Sequence, residues 1–196
     1  MILPVVAFGD PVLRKKAKNI DADYPDLAVF IKNMWETMYN ADGLGLAAPQ
    51  VGRAVRLFVI DLSPFESLDT LSDEEKETLK AFKKVFINPK IIEESGEEWS
   101  YEEGCLSIPG VVAEVSRKET IKIKYSDENF NEVTETYSGL AARVIQHEYD
   151  HIQGVLFTDK LSSLKKRLIQ GKLGNISKGK VESTYRMRFP EIKKSR

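Results

Sequence analysis

Leu27, Phe30, Ile31, Met34 and Met38 recur at intervals of three and four between Tyr24 and Asn40. That period places them on one face of a helix, so the spacing predicts an amphipathic helix over 24–40, with Asp23 as N-cap and Gly43 just past its end. Residues 43–52, GLGLAAPQVG, interrupt the pattern with Gly and Pro and read as a loop. VRLFVID at 55–61 reads as a buried strand. Residues 63–83 are polar, with acids before lysines and a capping-box fragment at Ser72 and Glu75, which predicts a surface helical insertion. VFINPKIIEES at 85–95 resumes strand character, and 96–110, GEEWSYEEGCLSIPG, reads as an irregular stretch ending in a turn. Beyond it, Val111, Ala113 and Val115 alternate, as do Ile121, Ile123 and Tyr125. These alternations predict three short strands in a meander, with a turn within Asp127–Asn131.

Ser138 then stands where a helix N-cap belongs, GLAARVIQHEYDHIQ has helical character, and Gly154 ends it. One stripe of this helix carries Leu140, Val144, His147, Glu148 and His151. VLFTDKL at 155–161 reads as a short strand or extended exit, SLKKRLIQGKL as a further helix, and the chain from about Gly174 is basic and poorly patterned. The expected fold is α+β: antiparallel sheets around a central helix bearing the two histidines, with an N-terminal and a C-terminal helix. A single domain over 1–173 and a basic tail over 174–196 follow.

Composition narrows the class. With 42% hydrophobic and 30% charged residues in 196, the chain can bury a sizeable core. No apolar run approaches the ~20 residues a membrane span needs. The N-terminus lacks a basic segment ahead of an apolar stretch and does not read as a signal peptide. A single cysteine excludes an internal disulfide, and together these features favour a reducing cytoplasm. The net charge of −1 conceals an asymmetry: residues 161–196 hold 11 Lys/Arg against 2 Asp/Glu, and the rest 18 against 28. Such a tail folds back on the acidic body, stays solvated, or steers the protein toward polyanions such as RNA.

The chain's two histidines, His147 and His151, stand four apart, with Glu148 directly after the first. On a helix they share a face and can grip one metal ion, and Glu148 is placed as a general base. Leu140 and Val144, on the same line, should wall the site. A catalytic site of this kind takes three protein ligands and keeps an open position. The extension H-E-x-x-H-x-x-G-x-x-H holds through Gly154 but has Phe157 in its last slot, and the glutamates further on, Glu182 and Glu191, lie in the basic tail. A lone cysteine is ordinarily a small core residue. Here Cys105, the only thiol, supplies the soft donor that the pair lacks, so a His2Cys set with Glu148 unligated is expected.

Three segments together resemble the motifs of one family. GLGLAAPQ (43–50), EGCLS (103–107) and QHEYDH (146–151) are similar, in order and spacing, to those of the peptide deformylases, in the form of the bacterial type 1 subgroup. The resemblance runs from DPVLRKKA near the N-terminus to about Leu161. It implies a metal-dependent hydrolase that removes the formyl group from the N-terminal formyl-methionine of new polypeptides. It also implies Fe2+ in the cell, with Zn2+, Ni2+ or Co2+ as substitutes. By the same resemblance, Gln50 and the Leu106 N–H are oxyanion donors, and the substrate backbone pairs beside Gly43, Leu44 and Gly45. Leu44, Leu140 and Val144 would form the methionine pocket. Two rivals are weighed: an endopeptidase, and a ribosome-associated module with a structural metal, for which the basic tail is the relevant feature.

Overall fold

The computed structural model describes residues 1–67 and 69–190. In chain order the elements are β1 (Val5–Val6), α1 (Leu27–Asn40), β2 (Gly45–Ala47), β3 (Leu57–Asp61), α2 (Asp73–Lys80), β4 (Lys83–Cys105), β5 (Ile108–Ser126), β6 (Glu132–Ser138), α3 (Gly139–Gln153), α4 (Ser163–Ser177) and β7 (Met187–Arg188). Strands β2 to β6 form one antiparallel sheet in sequence order, and β1 pairs in parallel with β7. The expected α+β architecture is present.

β3 explains the layering. Successive strand side chains point to opposite faces, and every residue of β3 is buried. Leu57 and Val59 pack with Phe30, Ile31, Met34 and Met38 of α1. Phe58 and Ile60 pack with Ala142 and Ile145 of α3. The sheet is therefore held between the two helices. A third cluster lies further along the β4–β5 hairpin, where Ile108, Val111 and Val115 meet Leu156, Phe157, Leu161 and Ile176.

Several predicted boundaries move, each for a visible reason. α1 starts at Leu27, because Pro25 disfavours helical backbone at Tyr24. Asp26, not Asp23, is its N-cap, with φ +54° and no side-chain cap bond. The loop at 43–52 contains β2, an edge strand on β3. The irregular stretch and the meander are one long hairpin: β4 runs unbroken to Cys105 and β5 from Ile108 to Ser126. Polar Ser116–Lys118, which lacks apolar alternation, is held in β5 by pairing with Glu98–Ser100. The Asp127 carboxylate accepts from the Asn129 and Asn131 N–H groups and makes the turn before β6. Ser138 occupies the N-cap of α3, yet its hydroxyl bonds Thr120 Oγ1 at 2.8 Å instead of the helix. Residues 157–160 form a 3-10 turn, with Asp159 accepting from Leu156 N–H at 2.8 Å.

The 63–83 segment keeps its capping box, with Ser72 N–H donating to Glu75 at 2.9 Å. It is anchored: Leu79 and Phe82 are buried in the core under the sheet. At the other end, the change of character at Gly174 falls inside α4, and Met187–Arg188 then returns to pair with Val5–Val6. Residues 191–196, the last stretch of the basic tail, lie outside the described residues. Among the described residues, no helix is long and apolar enough to cross a membrane.

Candidate metal centre

The centre forms where α3 meets the hairpin tip. His147 and His151 lie one helical turn apart on α3. Cys105 is the last residue of β4, and a two-residue turn leads to its partner Ile108 on β5. One donor atom from each of Cys105, His147 and His151 falls within 4.8 Å of the others. His151 Nε2 stands 3.3 Å from Cys105 Sγ. One sulfur and two imidazole nitrogens converging at this range fit a four-coordinate divalent ion that keeps a position open. Burial holds His151 well below its ordinary pKa, in the neutral ligand form. Burial also disfavours charge on His147, but hydrogen bonding to Cys105 and Glu103 outweighs it and pushes the imidazole up to about 10. A metal ion binding there displaces a proton, so affinity rises with pH.

Sequence reasoning missed the support behind His147. Its Nδ1 lies 2.9 Å from Glu103 Oε2, which orients the ring and leaves Nε2 for the metal. Arg117 grips both Glu103 oxygens, at 2.6 and 2.9 Å, and Arg143 Nη1 donates to Oε1 at 3.0 Å. Arg117 also donates to Asp150 at 2.7 Å. Arg143 donates to the Val115 and Trp99 carbonyls. Glu103, Arg117 and Arg143 are all buried. Burial alone would raise the Glu103 pKa; the hydrogen bonds and charges of Arg117 and His147 hold it well below the carboxylate range. The available signal was positional: Glu103 stands two residues before Cys105, and Arg143 four before His147.

Glu148 is buried, and its Oε2 has no hydrogen-bond partner. Burial is the main cause pushing its pKa up to about 7, partly opposed by the charge of His147. Gly45 makes room for it, since a Cβ at that position would sit 2.5 Å from Glu148 Oε1. Gly43 does the same for Leu106, at 2.8 Å from Cδ1. A cavity of about 430 Å3 opens over the centre. It is lined by Cys105, His147 and Glu148, and by all of Gly43, Leu44, Gly45, Leu106, Leu140 and Val144. Phe65, from the 63–83 segment, and Tyr101 also line it, with Asp42, Glu102, Glu103, Gly104 and Arg143, and were not anticipated. Gln50 and His151 are not among the residues lining the cavity; Gln50 Nε2 lies 3.6 Å from Cys105 Sγ, while its Oε1 accepts from Ala47 N–H at 2.8 Å.

The family model described as polypeptide deformylase matches residues 2–167. The chain belongs to the polypeptide deformylase family. It is 66% identical over all 196 residues to a peptide deformylase of Christiangramia forsetii, with both chains covered in full. Among solved deformylases, the Synechococcus elongatus protein in complex with actinonin is 41% identical with a TM-score of 0.73, covering 95% of this chain and 92% of that one. Arabidopsis thaliana peptide deformylase 1B, in complex with an inhibitor, is 34% identical with a TM-score of 0.77, covering 94% and 98%. The deformylase family match ends inside α4, so the segment from there to β7 lies beyond it.

Proposed function

We propose that the protein hydrolyses the formyl amide at the N-terminal formyl-methionine of newly made polypeptides. The observation that carries the reading is Glu148, a buried carboxylate whose Oε2 has no hydrogen-bond partner, lining one cavity with Cys105 and His147 of a converging Cys–His–His set. Cys105, His147 and His151 would hold the ion, Fe2+ in the cell, with Zn2+, Ni2+ or Co2+ accepted by the same donors. When bound, the ion would supply Lewis acidity and lower the pKa of a water toward neutral pH. Glu148 takes one proton from the attacking water as its oxygen bonds to the formyl carbon, and delivers that proton to the methionine nitrogen as the C–N bond breaks. Formate and the free amine leave. Gln50 Nε2 and the Leu106 N–H are the donors for the developing oxyanion. Because β2 is an edge strand, Gly45 at its start offers backbone for an incoming peptide to pair with, a mode that reads few side chains, while Gly43 N–H and the Leu44 carbonyl just before it are held by Met38 O and Asp61 N–H. Leu44, Leu140 and Val144, joined by Phe65, form an apolar wall for the methionine side chain.

Formate release from a formyl-Met-Ala-Ser peptide, with protein purified without oxygen, tests this. Rapid release abolished by a chelator is expected, with one metal ion per chain that Cys105→Ser fails to retain. Digestion of casein without formate release would instead favour the endopeptidase. Gly45→Ala tests the space beside Glu148. Its Cβ must displace the carboxylate, so deformylation should fall by ~10-fold or more while metal content stays at one. Normal turnover would show that Glu148 need not stand where it does.

Ribosome association through the basic tail over 174–196 is a further part of the reading. α4, from which that tail continues, extends the basic surface: it exposes Leu164 and Leu168 beside Lys165, Lys166, Arg167 and Lys172. Reversing the charge of Lys165, Lys166 and Lys172 together should abolish salt-sensitive pelleting with ribosomes; unchanged pelleting would remove that role. A cytoplasmic location follows from a substrate at the growing chain, and cell fractionation checks it.

A further inference from the structure

The turn that carries Cys105 is braced by a segment beyond the family match. Cys105 and Ile108 pair across the end of the hairpin, so Leu106 and Ser107 are the central residues of the turn. In such turns the peptide between the central residues makes no bond within the turn, and turn types differ by its flip. Here the carbonyl of that peptide, Leu106 O, accepts a hydrogen bond from the Tyr185 hydroxyl at 2.7 Å. The next carbonyl, Ser107 O, accepts from Phe8 N–H at 2.8 Å. Tyr185 reaches the turn because its segment is pinned: Arg186 O accepts from Val5 N–H and Arg188 O from Ala7 N–H, both at 2.9 Å. The two terminal segments thus hold consecutive carbonyls of the turn.

We propose that Tyr185 is a positioning residue for the metal centre. Its hydroxyl fixes the Leu106–Ser107 peptide, and so the orientation in which Cys105 Sγ and the Leu106 N–H face the cavity. The roles of these two groups rest on the deformylase reading. A site of this kind tolerates about 0.5 Å of misplacement, and Cys105 sits at the very end of a 23-residue strand. The Tyr185 ring is only half-buried, so Tyr185→Phe keeps the packing and removes the donor alone.

The test compares cobalt-loaded wild type, Tyr185→Phe and Arg186→Ala by absorption spectroscopy and by formate release. Arg186 has an exposed side chain in the same segment. Tyr185→Phe should shift the thiolate-to-cobalt band and lower kcat by about 3- to 10-fold, the effect of one neutral hydrogen bond. KM should stay within about twofold, because the loss is in the transition state. Arg186→Ala should match wild type in both readouts. A wild-type spectrum and kcat for Tyr185→Phe, or an equal loss in Arg186→Ala, would overturn the proposal. If wild type releases no formate, the deformylase reading fails, and the cobalt band alone decides the role of Tyr185.

Discussion

Glu148→Ala should lose at least ~100-fold in formate release while keeping its metal and its fold, as expected when a general base is removed. The second half of that expectation follows from what Glu148 touches. Its Oε2 is buried without a partner, so truncation breaks no hydrogen bond at that atom. A buried, unpartnered carboxyl is a cost to the folded state. In the metal-free protein the cost has a defined pH dependence. The Glu148 pKa is raised from an ordinary 4.5 to about 7, mainly by burial. Above pH 4.5 the unfolded chain releases this proton while the folded chain retains it, and above about 7 the folded chain carries the penalised charge. Stability due to Glu148 therefore falls as pH rises from 4.5 to 7. Glu148→Ala should melt at or above the wild-type temperature at pH 8, with the difference shrinking toward pH 4.5. Urea or thermal melts of chelated protein at the two pH values check this. A variant that turns over normally would remove Glu148 from the chemistry. One that melts far below wild type would assign the carboxyl a structural role.

Legibility in the sequence tracked the range of the interactions. His147, Glu148 and His151 were readable because helical geometry fixes their relation within five residues. The apolar face of α1 was readable for the same reason, and all five of its predicted residues pack together or against that cluster. The long hairpin was not. Its pairing shifts register between Ile87 and Lys90, Ile91 and Glu93, Ser95 and Glu98, and at Gly104–Cys105. Each shift resets the two-residue alternation on which strand reading depends. Arg117 lies inside the polar run SRKET, and its partners Glu103 and Asp150 are 14 and 33 positions away, so no local pattern marks it as buried. Tyr185 and the β1–β7 pairing leave no periodic trace, since each strand is two residues long. Two of the motifs, EGCLS and QHEYDH, carry the converging Cys–His–His set; the charge network behind His147 had no local signature.

The second large effect is expected at that network. Glu103→Gln should destabilise the protein by about 3–5 kcal/mol, the cost of removing one partner from a buried ion pair. At this chain length that corresponds to a melting point lower by roughly 10 °C. The reason is charge balance. Among the described residues, Glu103 pairs with Arg117, Arg143 and His147, Asp150 pairs with Arg117 and Lys160, and Glu103 is the acid that both arginines share. Glutamine keeps the shape and removes the charge. Its amide also presents a donor where Arg117, Arg143 and His147 already donate. Acid should expose the same dependence in wild type. The Glu103 pKa is held well below 4.5, so its contribution is fully present above that value. As pH falls below 4.5 the unfolded chain takes up the proton first, and the contribution is progressively lost. A second readout separates stability from chemistry. Because His147 Nδ1 loses its carboxylate, metal affinity should fall about 10- to 100-fold in Glu103→Gln. Replacing Glu103, Arg117 and Arg143 together by apolar residues of similar volume can recover stability, since a buried ionic cluster is often no more stable than a packed apolar one. It cannot recover metal affinity, because no apolar residue orients the imidazole. If the apolar triple variant bound metal as tightly as wild type, the network would be packing alone. If it folded well and bound metal poorly, the buried charges would be explained by the metal centre they hold in place.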